Sequence, residues 1–190
     1  MKKYLVIGNP IEHSLSPKLH NYWFEKYNID ANYDRRKIDQ SEIQKTINEI
    51  KNNKLDGINV TVPFKNDVIP FLDRLSEESK ITQSVNTIYK QDKKLVGHNT
   101  DIKGFELSLK ETKFNLENKT IFILGAGGVV PSIIYSLEKL GVSKIIVSNR
   151  TKQKTENLKK FFSNISIVDW GDQPNFDIII NATSLGLNKE

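Results

Sequence analysis

Two serines one residue apart, Ser14 and Ser16, stand in "GNPIEHSLSPKLHN" (Gly8–Asn21) just after the apolar run "YLVIG". Ser16 before Pro17 reads as a helix N-cap with proline in the first turn, a position that needs no backbone N–H. Ser14 has no such structural duty in this reading. Two hydroxyls at a helix N-terminus also suit an anion, because unpaired backbone donors converge there. Capping and ligand binding both remain open for the pair. Further along, polar residues gather where strands should end: Asn59 and Thr61 in "NVTVPFK", Lys65 just beyond, Asn86 in "SVNT" and Asp101 after "HNT". Each alone is an ordinary turn or surface residue. Together they suit a polyhydroxylated substrate, and a lysine beside an aspartate can exchange a proton with an alcohol or carbonyl oxygen during hydride transfer. His13 and His98 have no metal-ligand spacing and no carboxylate cluster beside them, so no metal is expected; His20 is expected to pack or hydrogen-bond on the first helix.

A second constellation starts at "TIFILGAGGVV". Gly125, Ala126, Gly127 and Gly128 follow a buried-strand run and precede helical spacing from Val129 to Leu140. Gly125 permits the sharp turn, Gly127 permits close approach of a pyrophosphate, and the helix N-terminus favours its charge. The spacing lacks the third glycine, because Val130 stands there. The next strand, Lys144–Ser148, ends in "SNRTKQK" with no acidic residue to grip a ribose hydroxyl. Asn149, Arg150 and Thr151, with Lys154 one helical turn on, are partners for a 2′-phosphate, so the expected cofactor is NADP(H) and not NAD(H). The alternative reading is that "NRT" only caps the following helix, a duty Thr151 can also combine with a ligand role.

These residues need a scaffold of alternating strands and helices. "YLVIG" leads to a helix over Pro17–Asn28, on which Leu19, Trp23 and Tyr27 share a face; "ANYDRRKI" leads to a helix near Ser41–Asn52. "GINVTVPF" is followed by polar helical text to Lys80. "SVNTIYKQDKKLVGHNT" reads as a hairpin around "QDKK", followed by a helix from Ile102 to about Thr112. Beyond "KFNLENK" come the glycine turn, a helix near Lys152–Phe162, a weak strand at Ile165–Val168 and a strong one at Phe176–Ile180. The fold class is α/β with two domains: a mixed α/β substrate and catalytic domain over 1–101, and a Rossmann-like NADP-binding domain over 102–190.

Composition narrows the function classes. The chain has 190 residues, 37% of them hydrophobic, with 28 basic against 23 acidic side chains and a formal charge of +5. Scattered lysines without a basic arm argue against nucleic acid as partner. There is no cysteine, which removes disulfides and thiol chemistry. No apolar run reaches the length of a membrane span. The expected setting is the cytoplasm, as a monomer or homodimer.

Seven segments in order, "NPIEHSLSPKLHN", "GINVTVPFK", "SVNT", "HNTDIKGF", "GAGG", "SNRT" and "NATSLG", resemble the shikimate dehydrogenase family over Lys3–Leu187. The resemblance implies reversible, NADPH-dependent reduction of 3-dehydroshikimate to shikimate, on the way to chorismate and the aromatic amino acids. It implies that Ser14 and Ser16 hold the substrate carboxylate, and that Asn59, Thr61, Asn86 and Asp101 contact ring hydroxyls or position the lysine. Lys65 is then the principal acid–base residue, paired with Asp101. Asn181, Thr183 and Ser184 would lie near the nicotinamide. Family members run on for roughly a further third, which normally completes the nucleotide sheet and brings a tyrosine and a glutamine to the substrate. Two alternatives remain: a quinate/shikimate dehydrogenase, and a noncatalytic fragment that binds nucleotide or shikimate.

Overall fold

The computed structural model describes residues 1–186; Leu187, the last residue of the family resemblance, lies outside the described residues. The chain divides into two compact units, Met1–Thr100 and Asp101 onward.

The first unit is built on a six-stranded mixed sheet. Its strands are β1 (Lys2–Gly8), β2 (Ala31–Lys37), β3 (Gly57–Val60), β4 (Arg74–Leu75), β5 (Thr87–Gln91) and β6 (Lys94–His98), in the spatial order β2-β1-β3-β5-β6-β4. β1 runs parallel to both β2 and β3, and β5 and β6 form an antiparallel hairpin against β3. The hairpin turn is shorter than "QDKK": only Asp92 and Lys93 lie outside the strands, both at positive φ, +51° and +63°. That geometry suits a two-residue turn whose twist matches the strands. The segment before Lys80 holds more than a helix. It contains a 3₁₀ turn at Ile69–Phe71, strand β4 and a short helix, α3 (Glu77–Thr82), capped by the Ser76 hydroxyl, which accepts the Ser79 N–H at 3.2 Å.

Helix α2 (Ile43–Lys51) buries Ile43, Ile47 and Ile50 against Leu5, Ile7, Ile58 and Val60 of the sheet. Helix α1 (Ser16–Lys26) behaves differently. Leu19, Trp23 and Tyr27 do form a stripe, but it faces outward, with Leu19 at 55% and Tyr27 at 63% exposure. The packed side carries His20, Asn21 and Phe24. His20 stacks on Tyr33 with ring centres 4.2 Å apart and planes within 5°, and Phe24 meets Tyr4 at 5.8 Å. Periodicity identifies a face of a helix, not the surface that covers it.

The second unit opens with helix α4 (Asp101–Glu111), which therefore starts one residue before Ile102. A parallel sheet follows, from β7 (Thr120–Leu124), β8 (Lys144–Ser148), β9 (Ile165–Val168) and β10 (Ile178–Asn181), ordered β10-β7-β8-β9. Helices α5 (Val130–Lys139) and α6 (Lys152–Lys159) make the crossovers. Ile121, Ile123, Ile133, Ile134 and Leu137 form the centre of its core. The strand–glycine turn–helix unit with all-parallel strands is the Rossmann-like arrangement. Among the described residues no helix is long and apolar enough to cross a membrane.

Candidate active site

Within the first unit, the loop after β1 and the loop after β3 lie side by side at the carboxyl ends of parallel strands, where open α/β sheets place ligands. Their backbones are tied together: Asn9 N–H donates to Val62 O at 3.0 Å and Thr61 N–H donates to Ile7 O at 2.9 Å. Gly8 makes this approach possible, since a β-carbon there would stand 2.6 Å from Thr61 Cγ2. Between the loops lies a recess of ≈ 250 Å³ bordered by His13, Ser14, Ser16 and Thr61, with Val6 and Ile11 at its apolar side. The hydroxyls of Ser14, Ser16 and Thr61 thus share one half-buried site.

The serines do not divide their local duties as the sequence suggests. Ser16 is the first helical residue and Leu15 stands at the cap position, without a side-chain cap. The capping duty falls to Ser14, whose Oγ accepts the Ser16 N–H at 3.3 Å. Arg35 on β2 holds the same turn from outside by donating to the carbonyl oxygens of Glu12 and Ser14. Glu12 is held ionised within the loop. The backbone N–H groups of Glu12 and Ile11 hold its carboxyl below the usual range, assisted by Lys37 at 3.4 Å.

Asn59 and Asn86 belong to one polar network. Asn59 Nδ2 donates to Asn86 O at 3.1 Å and to Thr87 Oγ1 at 3.0 Å, so both amide hydrogens are committed. Asn86 Oδ1 accepts from Thr87 Oγ1 at 3.0 Å and Thr100 N–H at 2.9 Å. Lys65 stands on the turn beyond Thr61 and is only 8% exposed, with its carbonyl accepting Val85 N–H at 2.9 Å. A lysine this little exposed is uncommon unless its charge is paired. Asp101 is half-buried and begins α4 in the second unit. Sequence reasoning passes over Tyr33 and Arg35. Their only signal is alternate spacing in "ANYDRRK", which reads simply as a strand.

In the second unit, Gly125 has φ +115°, and a β-carbon there would meet Ala182 O at 2.7 Å. Its N–H donates to Ser148 O at 2.7 Å, which ties the turn to β8, while Ala182 N–H donates to Leu124 O at 2.8 Å. Gly127 faces open space, with nothing within 4 Å of where a β-carbon would stand. The turn therefore combines a glycine required by the fold with one that leaves room at the N-terminus of α5. Arg150, Thr151 and Lys154 are exposed beyond β8, and neither Arg150 nor Lys154 pairs with a carboxylate among the described residues. Thr151 sits at the cap position of α6, but its hydroxyl makes no capping bond. Asn149 Nδ2 instead donates to Thr151 O at 2.9 Å. These features fit a 2′-phosphorylated dinucleotide: a tight glycine turn, an open helix end and uncommitted cations without an opposing acid.

After β10, Asn181 Oδ1 accepts Thr183 N–H at 3.0 Å and Thr183 Oγ1 at 2.7 Å, and Asn181 Nδ2 donates to Leu185 O at 3.1 Å. Ser184 is exposed on the same turn, which lies beside Gly125 through Ala182. Among the described residues no group of three or more histidine or acidic side chains is placed to hold a metal.

Comparison with known proteins converges on one family. The family model "Shikimate dehydrogenase substrate binding domain" matches residues 6–88, and "Shikimate / quinate 5-dehydrogenase" matches residues 106–186. A shikimate dehydrogenase (NADP(+)) of Pelagibacter ubique (strain HTCC1062) is 59% identical over 189 residues, covering 100% of this chain and 71% of the relative. The crystal structure of shikimate dehydrogenase from Aquifex aeolicus superposes with a TM-score of 0.91 at 38% identity, over 100% of this chain and 71% of that one. Shikimate 5-dehydrogenase from Thermus thermophilus, solved in complex with NADP(H) and shikimate, has a TM-score of 0.88 at 29% identity, over 98% and 70% of the two chains. With both units matched in order and the glycine turn and polar recess in place, this chain belongs to the shikimate dehydrogenase family.

Proposed function

We propose that the chain is an NADP-dependent oxidoreductase that interconverts 3-dehydroshikimate and shikimate, with the residues over 1–101 binding and transforming the substrate and those over 102–190 binding the cofactor. The observation that carries this reading is the recess shared by Ser14, Ser16 and Thr61, one turn before a nearly buried Lys65, in a chain matched by both family models. NADPH supplies the hydride when bound, and the chain supplies position and protons.

The hydroxyls of Ser14 and Ser16 hold the substrate carboxylate at the N-terminus of α1, where the helix end favours an anion. That anchors one edge of the ring and turns the opposite edge toward Lys65. Asn86 and Thr61 fix ring oxygens, and Asn59 orients them. In the reductive direction the ammonium of Lys65 donates a proton to the oxygen of the carbonyl as its carbon accepts hydride. In the oxidative direction the neutral amine takes that proton back. Asp101 is the partner of Lys65 in this acid–base pair. On the cofactor side, Gly125–Gly128 and the α5 N-terminus hold the pyrophosphate, and Asn149, Arg150, Thr151 and Lys154 hold the 2′-phosphate. Asn181, Thr183 and Ser184 line the nicotinamide end. Such positioning is worth several orders of magnitude when the reacting atoms are held in near-attack geometry. The protein acts in the cytoplasm, as a monomer or homodimer, without nucleic acid.

The test is absorbance at 340 nm with the purified 190-residue chain, 3-dehydroshikimate and NADPH, with a Lys65→Ala control. Consumption of NADPH that requires both the substrate and Lys65 is the expected result. Turnover that survives unchanged in Lys65→Ala refutes the acid–base assignment.

A further inference from the structure

β2 contributes no residue to the site proposed above, yet its inward face holds that site from behind. Tyr33 is 4% exposed and packs with Val6 and Ile11, both of which border the recess. Its phenol donates to Asn59 Oδ1 at 2.6 Å. Because both hydrogens of the Asn59 amide are spent on Asn86 O and Thr87 Oγ1, the oxygen end must face Tyr33, and there it needs a donor. Burial pushes the Tyr33 phenol well above its ordinary value, and the neighbouring Ser16 hydroxyl opposes that shift only in part. The group is thus a hydrogen-bond donor throughout the working pH range.

Tyr33 is itself held on three sides. Asn21 of α1 donates to its carbonyl at 2.8 Å and accepts its N–H at 2.9 Å, and His20 stacks on its ring. The phenol therefore joins α1, which carries Ser16, to β3, which leads into Thr61. From Asn59 the network continues through Thr87 and Asn86 to Thr100.

We propose that Tyr33 is a positioning residue for substrate recognition: its phenol sets the Asn59 amide, and so fixes the carboxylate-binding end of α1 relative to the oxygen-binding residues at the ends of β3 and β5. The inference rests on the functional reading of Ser16, Asn59 and Asn86. Without the hydroxyl, the half-buried Asn59 oxygen loses its donor. A flipped amide or a displaced strand end relieves this, and both move Asn86 and Thr61.

The test compares the wild-type chain with Tyr33→Phe, Asn59→Ala and the double variant. Phenylalanine keeps the stack on His20 and the apolar packing, and removes only the donor. Titration with shikimate is expected to show about tenfold weaker binding by Tyr33→Phe, on the order of one unsatisfied hydrogen bond. NADP⁺ affinity should stay within about twofold, since the change is confined to the first unit. The double variant should bind shikimate no more weakly than Asn59→Ala, because Tyr33 acts through Asn59. In amide NMR spectra the Asn59 side-chain signals should move and exchange faster with water in Tyr33→Phe. Unchanged Asn59 signals, equal shikimate affinity in wild type and Tyr33→Phe, or strictly additive losses would each overturn the inference alone. Absence of shikimate binding by the wild-type chain would overturn the functional reading and this inference with it.

Discussion

Gly125 and Gly127 sit two residues apart in one turn and are expected to fail in opposite ways. In Gly125→Ala the new methyl lies 2.7 Å from Ala182 O and 2.9 Å from its carbonyl carbon, at φ +115°. Backbone strain at such a φ costs about 1–3 kcal/mol. Forcing the methyl against backbone that cannot swing aside costs about 1–3 kcal/mol more. Even a sum near the lower end, about 2 kcal/mol, lowers the Tm of a unit of this size by about 8–16 °C. In Gly127→Ala nothing lies within 4 Å of the methyl and the φ is an ordinary one, so the melt should hardly change. In the proposed function, however, the methyl occupies the space through which a pyrophosphate approaches the α5 N-terminus. A loss of about 1–2.8 kcal/mol there weakens NADP⁺ binding by about 10–100-fold. The two tryptophans make the assay local: Trp23 lies in the first unit and Trp170 in the second, so a Trp23→Phe background leaves Trp170 as the only indole. Fluorescence melting of that chain should shift for Gly125→Ala and not for Gly127→Ala, while NADP⁺ titration should show the weakened binding in Gly127→Ala. A Gly127→Ala melt displaced as far as that of Gly125→Ala would refute the steric reasoning. NADP⁺ affinity unchanged in Gly127→Ala would refute the placement of the pyrophosphate.

Arg150→Ala should weaken NADPH by about tenfold, the value of a charge-assisted hydrogen bond after discounting for its exposure, and leave NADH within about twofold; equal losses for both cofactors would point to a folding effect. Removing the Arg35 guanidinium (Arg35→Ala) releases the carbonyl oxygens of Glu12 and Ser14, so KM for shikimate should rise several-fold with little change in Tm, and an unchanged KM would show that the loop holds itself. Burial keeps His20 below its ordinary value near 6.5, so the unfolded chain takes up a proton more readily than the folded one. That contribution to stability is whole above pH 6.5 and is lost as the pH falls toward the folded-state value. A plot of Tm against pH should therefore decline less steeply on acidification for His20→Gln than for wild type; parallel plots would contradict it.

Much of the second unit was legible because its signals are local. A buried strand, a glycine turn and an amphipathic helix follow one another within "TIFILGAGGVVPSIIYSLEKL", and the absence of an acid after β8 is a matter of one short segment. The first unit shows the limit of that approach. Leu19, Trp23 and Tyr27 form a regular stripe, and the structure turns it outward while His20, Asn21 and Phe24 pack. Ser14 looked free of structural duty and caps the turn; Ser16 looked like the cap and is the first helical residue.

By itself, then, the sequence determined the alternation of strands and helices, the glycine turn with its cationic neighbours, and the set of polar residues at strand ends, because each depends on the side chains of a few consecutive positions. Only the tertiary structure decided which of those residues share a recess, which face of α1 is covered, and that the Tyr33 phenol of β2 meets the amide oxygen of Asn59. Those contacts join segments far apart in the chain through an intervening strand, and hydrogen-bond partners are chosen by whatever donors and acceptors the sheet brings within about 3 Å.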